Sequence, residues 1–269
     1  MDRKIEELQK IIDDSNRIVF FGGAGVSTES GIPDFRSRDG LYNQRWSYPP
    51  EVIISRTFFD VNKPEFYRFY RAKLLLNGIE PNKAHKKLAE LEAAGKLSAV
   101  VTQNIDGLHQ AAGSKNVYEL HGSVLRNYCM QCGAFYDDKF ISSQIDAAVE
   151  KAGLQPDPEV YADCTTGWPA DAVPVCPKCG GIIKPDVVLY EEGLDDNVVS
   201  GAIRAISNAD CLIIGGTSLV VYPAASMINY FNGKYLVLIN KSATSADSRA
   251  DLVINDSIGK VLDSIRVRK

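Results

Sequence analysis

An α/β fold, with a Rossmann-like doubly wound parallel sheet and a smaller inserted module, is the architecture this sequence predicts. Three observations lead there. Short apolar runs alternate with stretches of helical periodicity. A Gly-rich turn directly follows the first strong run. Two stretches, one holding paired cysteines, interrupt the alternation. Strands that alternate with helices imply a parallel sheet covered on both faces.

Residues 2–14 place Ile5, Leu8, Ile11 and Ile12 at helical spacing among charges, which predicts a helix. Residues 17–21 read as a buried strand, closed by the turn Gly22-Gly23-Ala24-Gly25. Similar apolar runs recur at 97–102, 210–215 and 235–240, with weaker ones at 117–120 and 252–255. Helical patterns lie at 82–94, 104–112, 196–208, 223–232 and 257–266. Residues 37–80 are rich in aromatics and Arg, with a helix at 64–77. Residues 123–181 hold two cysteine pairs and little periodicity. Both read as insertions that fold together as a small helical plus zinc-ribbon module. The expected domains are therefore 1–36, 81–122 and 182–269 for the parallel sheet, and 37–80 with 123–181 for the module.

Composition narrows the function. The chain has 269 residues, 45% hydrophobic and 24% charged, enough for a sizeable core without covalent staples. Lys plus Arg is 30 against 34 Asp plus Glu, a net charge of −4, which argues against a nucleic-acid partner. The charged start Met1-Asp2-Arg3-Lys4 reads as no signal peptide, and no apolar run suits a membrane span. The expectation is a cytoplasmic protein, so the six cysteines point to metal or packing before disulfides.

Six motifs stand out. Gly22 to Thr28 approximates a dinucleotide fingerprint, in which glycines let the backbone approach a pyrophosphate resting on the next helix N-terminus. Thr28 stands where the third Gly belongs and the acidic ribose ligand is missing, so a plain tight turn stays open. Cys129-x-x-Cys132 and Cys176-x-x-Cys179, each followed by Gly, fit four thiolates around one zinc with no open position, a structural site, with two reduced pairs or a redox site as the alternatives. Cys164 and Cys211 read as ordinary cysteines. Gln103-Asn104-Ile105-Asp106 follows a strand and would face a ligand crevice, with Asn104 alternatively the N-cap of the next helix. Of three histidines, His85 and His109 read as structural, while His121, at a strand end before Gly122, is placed for a general base. Thr217 and Ser218 after Gly215-Gly216, and Asn240 after its strand, repeat the strand-end logic. Residues 184–192 read as a core strand whose edge could pair with an extended peptide.

Together these residues resemble the sirtuin family of NAD-dependent protein-lysine deacylases. The strings that carry the likeness are Gly23-Ala24-Gly25-Val26-Ser27-Thr28-Glu29-Ser30-Gly31-Ile32-Pro33-Asp34-Phe35-Arg36, Thr102-Gln103-Asn104-Ile105-Asp106-Gly107-Leu108-His109, Leu120-His121-Gly122, the paired cysteines, Val187-Val188 and Gly216-Thr217-Ser218. The resemblance implies NAD as co-substrate and one structural Zn. It implies that Ala24, Ser27, Thr28, Arg36 and Gln103 meet the phosphates and riboses, and that Phe35 covers the nicotinamide. Asn104, Ile105 and Asp106 would form the nicotinamide pocket, with Asn104 counted among the catalytic residues. Thr217, Ser218, Asn240, Lys241 and Ile258 would hold the adenosine half. His121 would be the base, and Val188 and Tyr190 would border the acyl-lysine and pair with the substrate backbone.

The implied reaction is attack of the acyl oxygen on the ribose carbon bearing nicotinamide. Nicotinamide departs, His121 takes a proton from a ribose hydroxyl, which attacks the O-alkylamidate, and water completes the step to give free lysine and O-acyl-ADP-ribose. Partners would be acyl-lysine proteins. The family's Phe-Gly-Glu is here Tyr190-Glu191-Glu192, and the Tyr-x-x-Arg of desuccinylating members is not met at Tyr67, Tyr70 and Arg71, which favours acetyl. Competing readings are mono-ADP-ribosyl transfer, a nicotinamide dehydrogenase, and a non-catalytic NAD-sensing zinc-ribbon module.

Overall fold

The computed structural model describes residues 2–164 and 167–267. Its strands are β1 (Ile18–Gly22), β2 (Leu97–Thr102), β3 (Val117–Glu119), β4 (Gly122–Cys129), β5 (Phe135–Asp137), β6 (Ile183–Val187), β7 (Cys211–Gly215), β8 (Tyr235–Ile239) and β9 (Leu252–Ile254). The α-helices are α1 (Asp2–Asp14), α2 (Pro50–Ile53), α3 (Arg56–Val61), α4 (Lys63–Phe69), α5 (Lys83–Ala93), α6 (Leu108–Ala111), α7 (Asp138–Lys151), α8 (Pro158–Asp163), α9 (Asp196–Asn208) and α10 (Ile258–Asp263). Two units divide the chain: Met1–Asp34, Ile79–Leu120 and Leu194–Lys269 form the first; Phe35–Gly78 and His121–Gly193 form the second. Among the described residues no helix is long and apolar enough to cross a membrane.

The first unit is an all-parallel sheet in the order β3-β2-β1-β7-β8-β9. Counted within this sheet the order is 3-2-1-4-5-6, the doubly wound dinucleotide-binding arrangement with its switch point between β1 and β7. Alternate side chains feed two cores. Ile18, Phe20, Ile213 and Val237 pack with Leu8, Ile12, Leu88 and Leu262 from α1, α5 and α10. Val19, Phe21, Ile214 and Leu238 pack with Ala202 and Ile206 of α9 and with Ala224 and Met227. Both faces are buried, which is why these strands read as continuous apolar runs.

The second unit is a three-stranded antiparallel sheet, β5-β4-β6, with helices. Ser55 caps α3 through the Phe58 amide and Asn62 caps α4 through the Glu65 amide. The helix expected at 64–77 is α4 followed by a π-turn, Tyr70–Leu74. Residues 133–175 are not featureless: α7 and α8 lie within them, and buried arginines of the preceding helix tie them down. Arg68 pairs with Glu65 and donates to the carbonyls of Tyr161 and Ala162. Arg71 makes two 3.0 Å bonds to Asp146, which also accepts from the Tyr161 hydroxyl.

Several expectations need correction. Residues 121–122 and 182–193 belong to the second unit, because β6 pairs antiparallel with β4 and not with the parallel sheet. No regular helix follows the Gly-rich turn; two single 3-10 turns, Ala24–Val26 and Thr28–Ser30, take its place. Helix 104–112 shrinks to α6, since Gly107 adopts a left-handed conformation before it. Residues 223–232 hold a 3-10 helix, Ala224–Tyr230.

Candidate active site

Register sets the carboxyl edge of the first unit's sheet. Gly22 lies opposite Thr102 and Gly215, and Gly215 lies opposite Ile239, so these strands stop level with one another. The turns after β1, β2, β7 and β8 therefore start together, where open α/β sheets bind ligands. The turn after β1 lies against the turn after β7. The Gly25 amide donates to the Gly216 carbonyl at 2.8 Å, and a Cβ on Gly25 would stand 2.8 Å from the Gly216 backbone.

A polar network spans this edge. Ser27 Oγ, almost fully buried, donates to Asp106 Oδ2 at 2.6 Å and accepts from Asn104 Nδ2 at 3.0 Å. Asp106 Oδ1 accepts the Leu108 amide, so its carboxylate is held at both oxygens. Asn104 is thus not the cap of α6: its amide donates to Thr102 Oγ1 and its side chain turns to Ser27. Gln103 Nε2 donates to Thr217 Oγ1 at 3.0 Å. Thr28 Oγ1 donates to the Gly25 carbonyl. Half-buried Ala24 and Ile105 lie in the same two loops. Ser218 and Lys241 are exposed, and Asn240 turns its side chain to the Ser242 carbonyl at 2.8 Å. Ile258 is buried at the start of α10, whose Gly259 amide donates to Glu29. Two residues passed over in the sequence help: Glu29, and Asn82, whose Nδ2 donates to the Val26 carbonyl at 2.7 Å. Asn82 carries the ordinary signal of a helix cap, and this second bond is invisible in sequence.

Beneath this network lie two histidines. His85 and His109 are 0% and 1% exposed, their rings 4.7 Å apart. Burial pushes His85 down to about 4, with the Asp106 charge opposing it, and pushes His109 down to about 3, with the His85 charge assisting. In the unfolded chain each would take its proton near pH 6.5. The pair therefore costs nothing above about pH 6.5 and destabilises the fold as pH falls toward 4, by up to about 1.4 kcal/mol per pH unit for each ring. Urea unfolding between about pH 7.5 and 5.5 should show this decline, and His109→Leu should reduce its slope by roughly half. A slope unchanged in that variant would contradict the assignment.

In the second unit, His121 is half-buried and its carbonyl accepts the Val188 amide at 2.9 Å. Gly122 follows at φ 75°, and a Cβ there would collide with the Asp186 carbonyl, so the backbone beside His121 admits only glycine. Half-buried Phe35 packs its ring on Tyr42 at 5.4 Å, and the Arg36 guanidinium sits 5.2 Å from the same ring. Tyr42, which sequence reading missed, shares a 2.7 Å hydroxyl bond with Tyr190. Burial and that bond push the Tyr42 phenol well above its ordinary range. The backbone of Tyr190, expected to pair with a peptide, is already engaged: its N–H donates to Ile54 and its C=O accepts from Arg56, each at 3.0 Å.

The four paired cysteines converge. Cys129 lies opposite Ile183 in the β4–β6 ladder, which brings both Cys-x-x-Cys turns to one end of the sheet. All four sulfurs lie within 4.8 Å of one another, with Cys129 to Cys179 at 3.5 Å and Cys132 to Cys176 at 3.6 Å. Zn–S bonds of about 2.3 Å require S–S edges near 3.8 Å, so the cluster fits one tetrahedral zinc. Gly133 and Gly180 close the two turns alike, donating to the Cys129 and Cys176 carbonyls at 2.9 and 2.8 Å. None of the six cysteines forms a disulfide. Buried Cys211 is pushed up to about 12 by desolvation and stays a thiol, as expected of an ordinary core cysteine.

Comparison with known proteins agrees with this arrangement. Residues 23–223 match the model of the Sir2 family. An NAD-dependent protein deacetylase of Clostridium perfringens is 62% identical over 268 residues, covering 98% of this chain and 99% of its own. One from Clostridium acetobutylicum is 56% identical over 264 residues, covering 97% and 98%. A solved Sir2 structure, a His-to-Ala variant with deacetylated p53 peptide and 3′-O-acetyl-ADP-ribose, superposes with a TM-score of 0.80 at 34% identity, covering 97% of this chain and 96% of that one. A parallel sheet with its switch point at the Gly-rich turn, a separate four-cysteine module and these likenesses lead to one conclusion: the chain belongs to the Sir2, or sirtuin, family.

Proposed function

We propose that this protein removes acetyl groups from protein lysines at the expense of NAD, releasing nicotinamide and O-acetyl-ADP-ribose. The observation that carries the reading is the Ser27–Asn104–Asp106 network at the carboxyl edge of β1 and β2. It offers a fixed carboxylate, an amide and a hydroxyl but no activated nucleophile. Such a site suits a reaction in which the substrate amide supplies the attacking oxygen. NAD contributes an activated ribose carbon whose leaving group is nicotinamide.

The chain's own residues then divide the work. Asn104 and Asp106 orient the nicotinamide and its ribose, with Ile105 as the apolar side of that pocket. Ala24, Ser27, Thr28, Arg36 and Gln103 hold the phosphates and riboses. Thr217, Ser218, Asn240, Lys241 and Ile258 hold the adenosine half. Phe35 keeps water away from the reacting carbon, which protects a reactive intermediate from hydrolysis. His121 accepts the proton of a ribose hydroxyl. Val188 and the Tyr190 side chain border the acyl-lysine. The zinc is structural, since four thiolates leave it no open position.

Acyl preference follows from α4 and the π-turn. Burying a succinyl carboxylate needs a cation or donor to meet it. Tyr67 spends its hydroxyl on the Ile183 carbonyl, and fully buried Tyr70 points its own toward Val124. Arg71 is committed to Asp146 and the Leu75 carbonyl, and Arg68 to Glu65. Neither arginine of this segment is left for a carboxylate. With NAD present, acetyl-lysine peptide should show a kcat/KM at least about tenfold above that of succinyl-lysine peptide, roughly 1.4 kcal/mol. Equal rates would overturn the acyl assignment. No NAD-dependent deacylation of either peptide, with ADP-ribose left on protein instead, would replace deacylation with ADP-ribosyl transfer.

A further inference from the structure

We infer that Glu191 is a positioning residue for substrate: its carboxylate, bonded to Thr57, holds residues 188–192 in the conformation that receives the acyl-lysine peptide. The inference rests on the reading of Val188 and Tyr190 as substrate-binding.

Glu191 has φ 76°, one of two non-glycine residues at positive φ among the described residues. A Cβ disfavours this left-handed backbone, and a residue kept there is held by its surroundings. Here the holder is visible. Glu191 Oε2 accepts from the Thr57 amide at 2.9 Å and from Thr57 Oγ1 at 2.7 Å. Those bonds, the hydroxyl first, keep the Glu191 carboxyl below its ordinary range. The Thr57 amide lies in the first turn of α3, where it has no partner within its own helix.

The neighbours are fastened to the same place. Tyr190 bridges Ile54 and Arg56 through its backbone. Glu192 accepts the Leu189 amide and Lys184 on Oε2, and Arg56 on Oε1. Residues 188–190 are thus pinned at Val188 by His121, at Tyr190 by 54–56, and beyond it by the Glu191 clasp. With the clasp released, this segment must be ordered by the incoming peptide, and that cost appears as weaker peptide binding. The turn of bound NAD should not feel it.

The test is a kinetic series on the zinc-loaded protein with acetyl-lysine peptide. Glu191→Ala and Thr57→Val should each raise the peptide KM about fivefold, the worth of one net hydrogen bond. The KM for NAD and kcat should stay within about twofold, because neither residue is among those assigned to NAD. Thr57→Ser, which keeps the hydroxyl, should restore the wild-type KM. Glu191→Gly should fall between, since glycine keeps the left-handed backbone without a clasp. Thr57→Val against Thr57→Ser preserves the comparison if Glu191→Ala folds poorly. Val188→Asp is the control. If it leaves peptide KM unchanged, the substrate-segment reading fails. If it raises KM while Glu191→Ala and Thr57→Val do not, the clasp alone is refuted. Equal rises in peptide and NAD KM would also refute it, as general loosening.

Discussion

His121→Ala should cut turnover on acetyl-lysine peptide by about 10²-fold or more while NAD still binds. The size follows from the loss of a positioned base, worth about 10²–10⁴-fold in general acid–base catalysis. The fold should survive the change. The backbone at His121 is secured by the Val188 amide and by the left-handed Gly122, neither of which needs the imidazole. No other histidine can substitute. His109 is 1% exposed and pushed down to about 3 by burial, and His85 is as deeply buried. Thermal melting and NAD titration of the variant separate loss of chemistry from loss of structure. A fully active His121→Ala protein would remove the base from the account.

Purified protein should carry about one zinc per chain, and Cys176→Ser should lower metal content and stability together. Cys176 is buried, its sulfur lies 3.6 Å from that of Cys132, and the Tyr136 hydroxyl meets it at 3.0 Å. Serine would break the thiolate set. Structural zinc is worth about 10–16 kcal/mol in isolated zinc-finger peptides, far more than most side-chain contacts. The module here is also held by Arg68 and Arg71, so part of that loss is absorbed. A fall in Tm of about 10 °C or more is expected. Cys164→Ser, outside the cluster, should change little. Full metal content in Cys176→Ser would mean the ligands are misassigned.

What could be read beforehand followed from local chemistry. Strands such as Cys211–Gly215 announce themselves because both faces are buried, leaving an unbroken apolar run. The cysteine pairs were legible because thiolate spacing around zinc is narrow. Residues 104–107 misled because Asn104 looks like a cap, while Asp106 and the left-handed Gly107 set the turn. Helix α7 gives little signal: its apolar Ile141, Ile145 and Val149 are thinly spaced among Ser, Asp and Lys. The sheet that β6 joins is not legible in sequence, because nothing local tells a parallel partner from an antiparallel one. The Tyr42–Tyr190 bond and the Thr57 clasp join residues more than 130 positions apart, which no spacing rule reaches.

The most direct measurement of the central claim is product stoichiometry. The protein is incubated with NAD and an acetyl-lysine peptide, and nicotinamide, deacetylated peptide and acetyl-bearing ADP-ribose are quantified together. The account predicts that the three appear in equal amounts, with no deacetylation when NAD is omitted. Free acetate formed without NAD, or nicotinamide released while the peptide keeps its acetyl group, would contradict it.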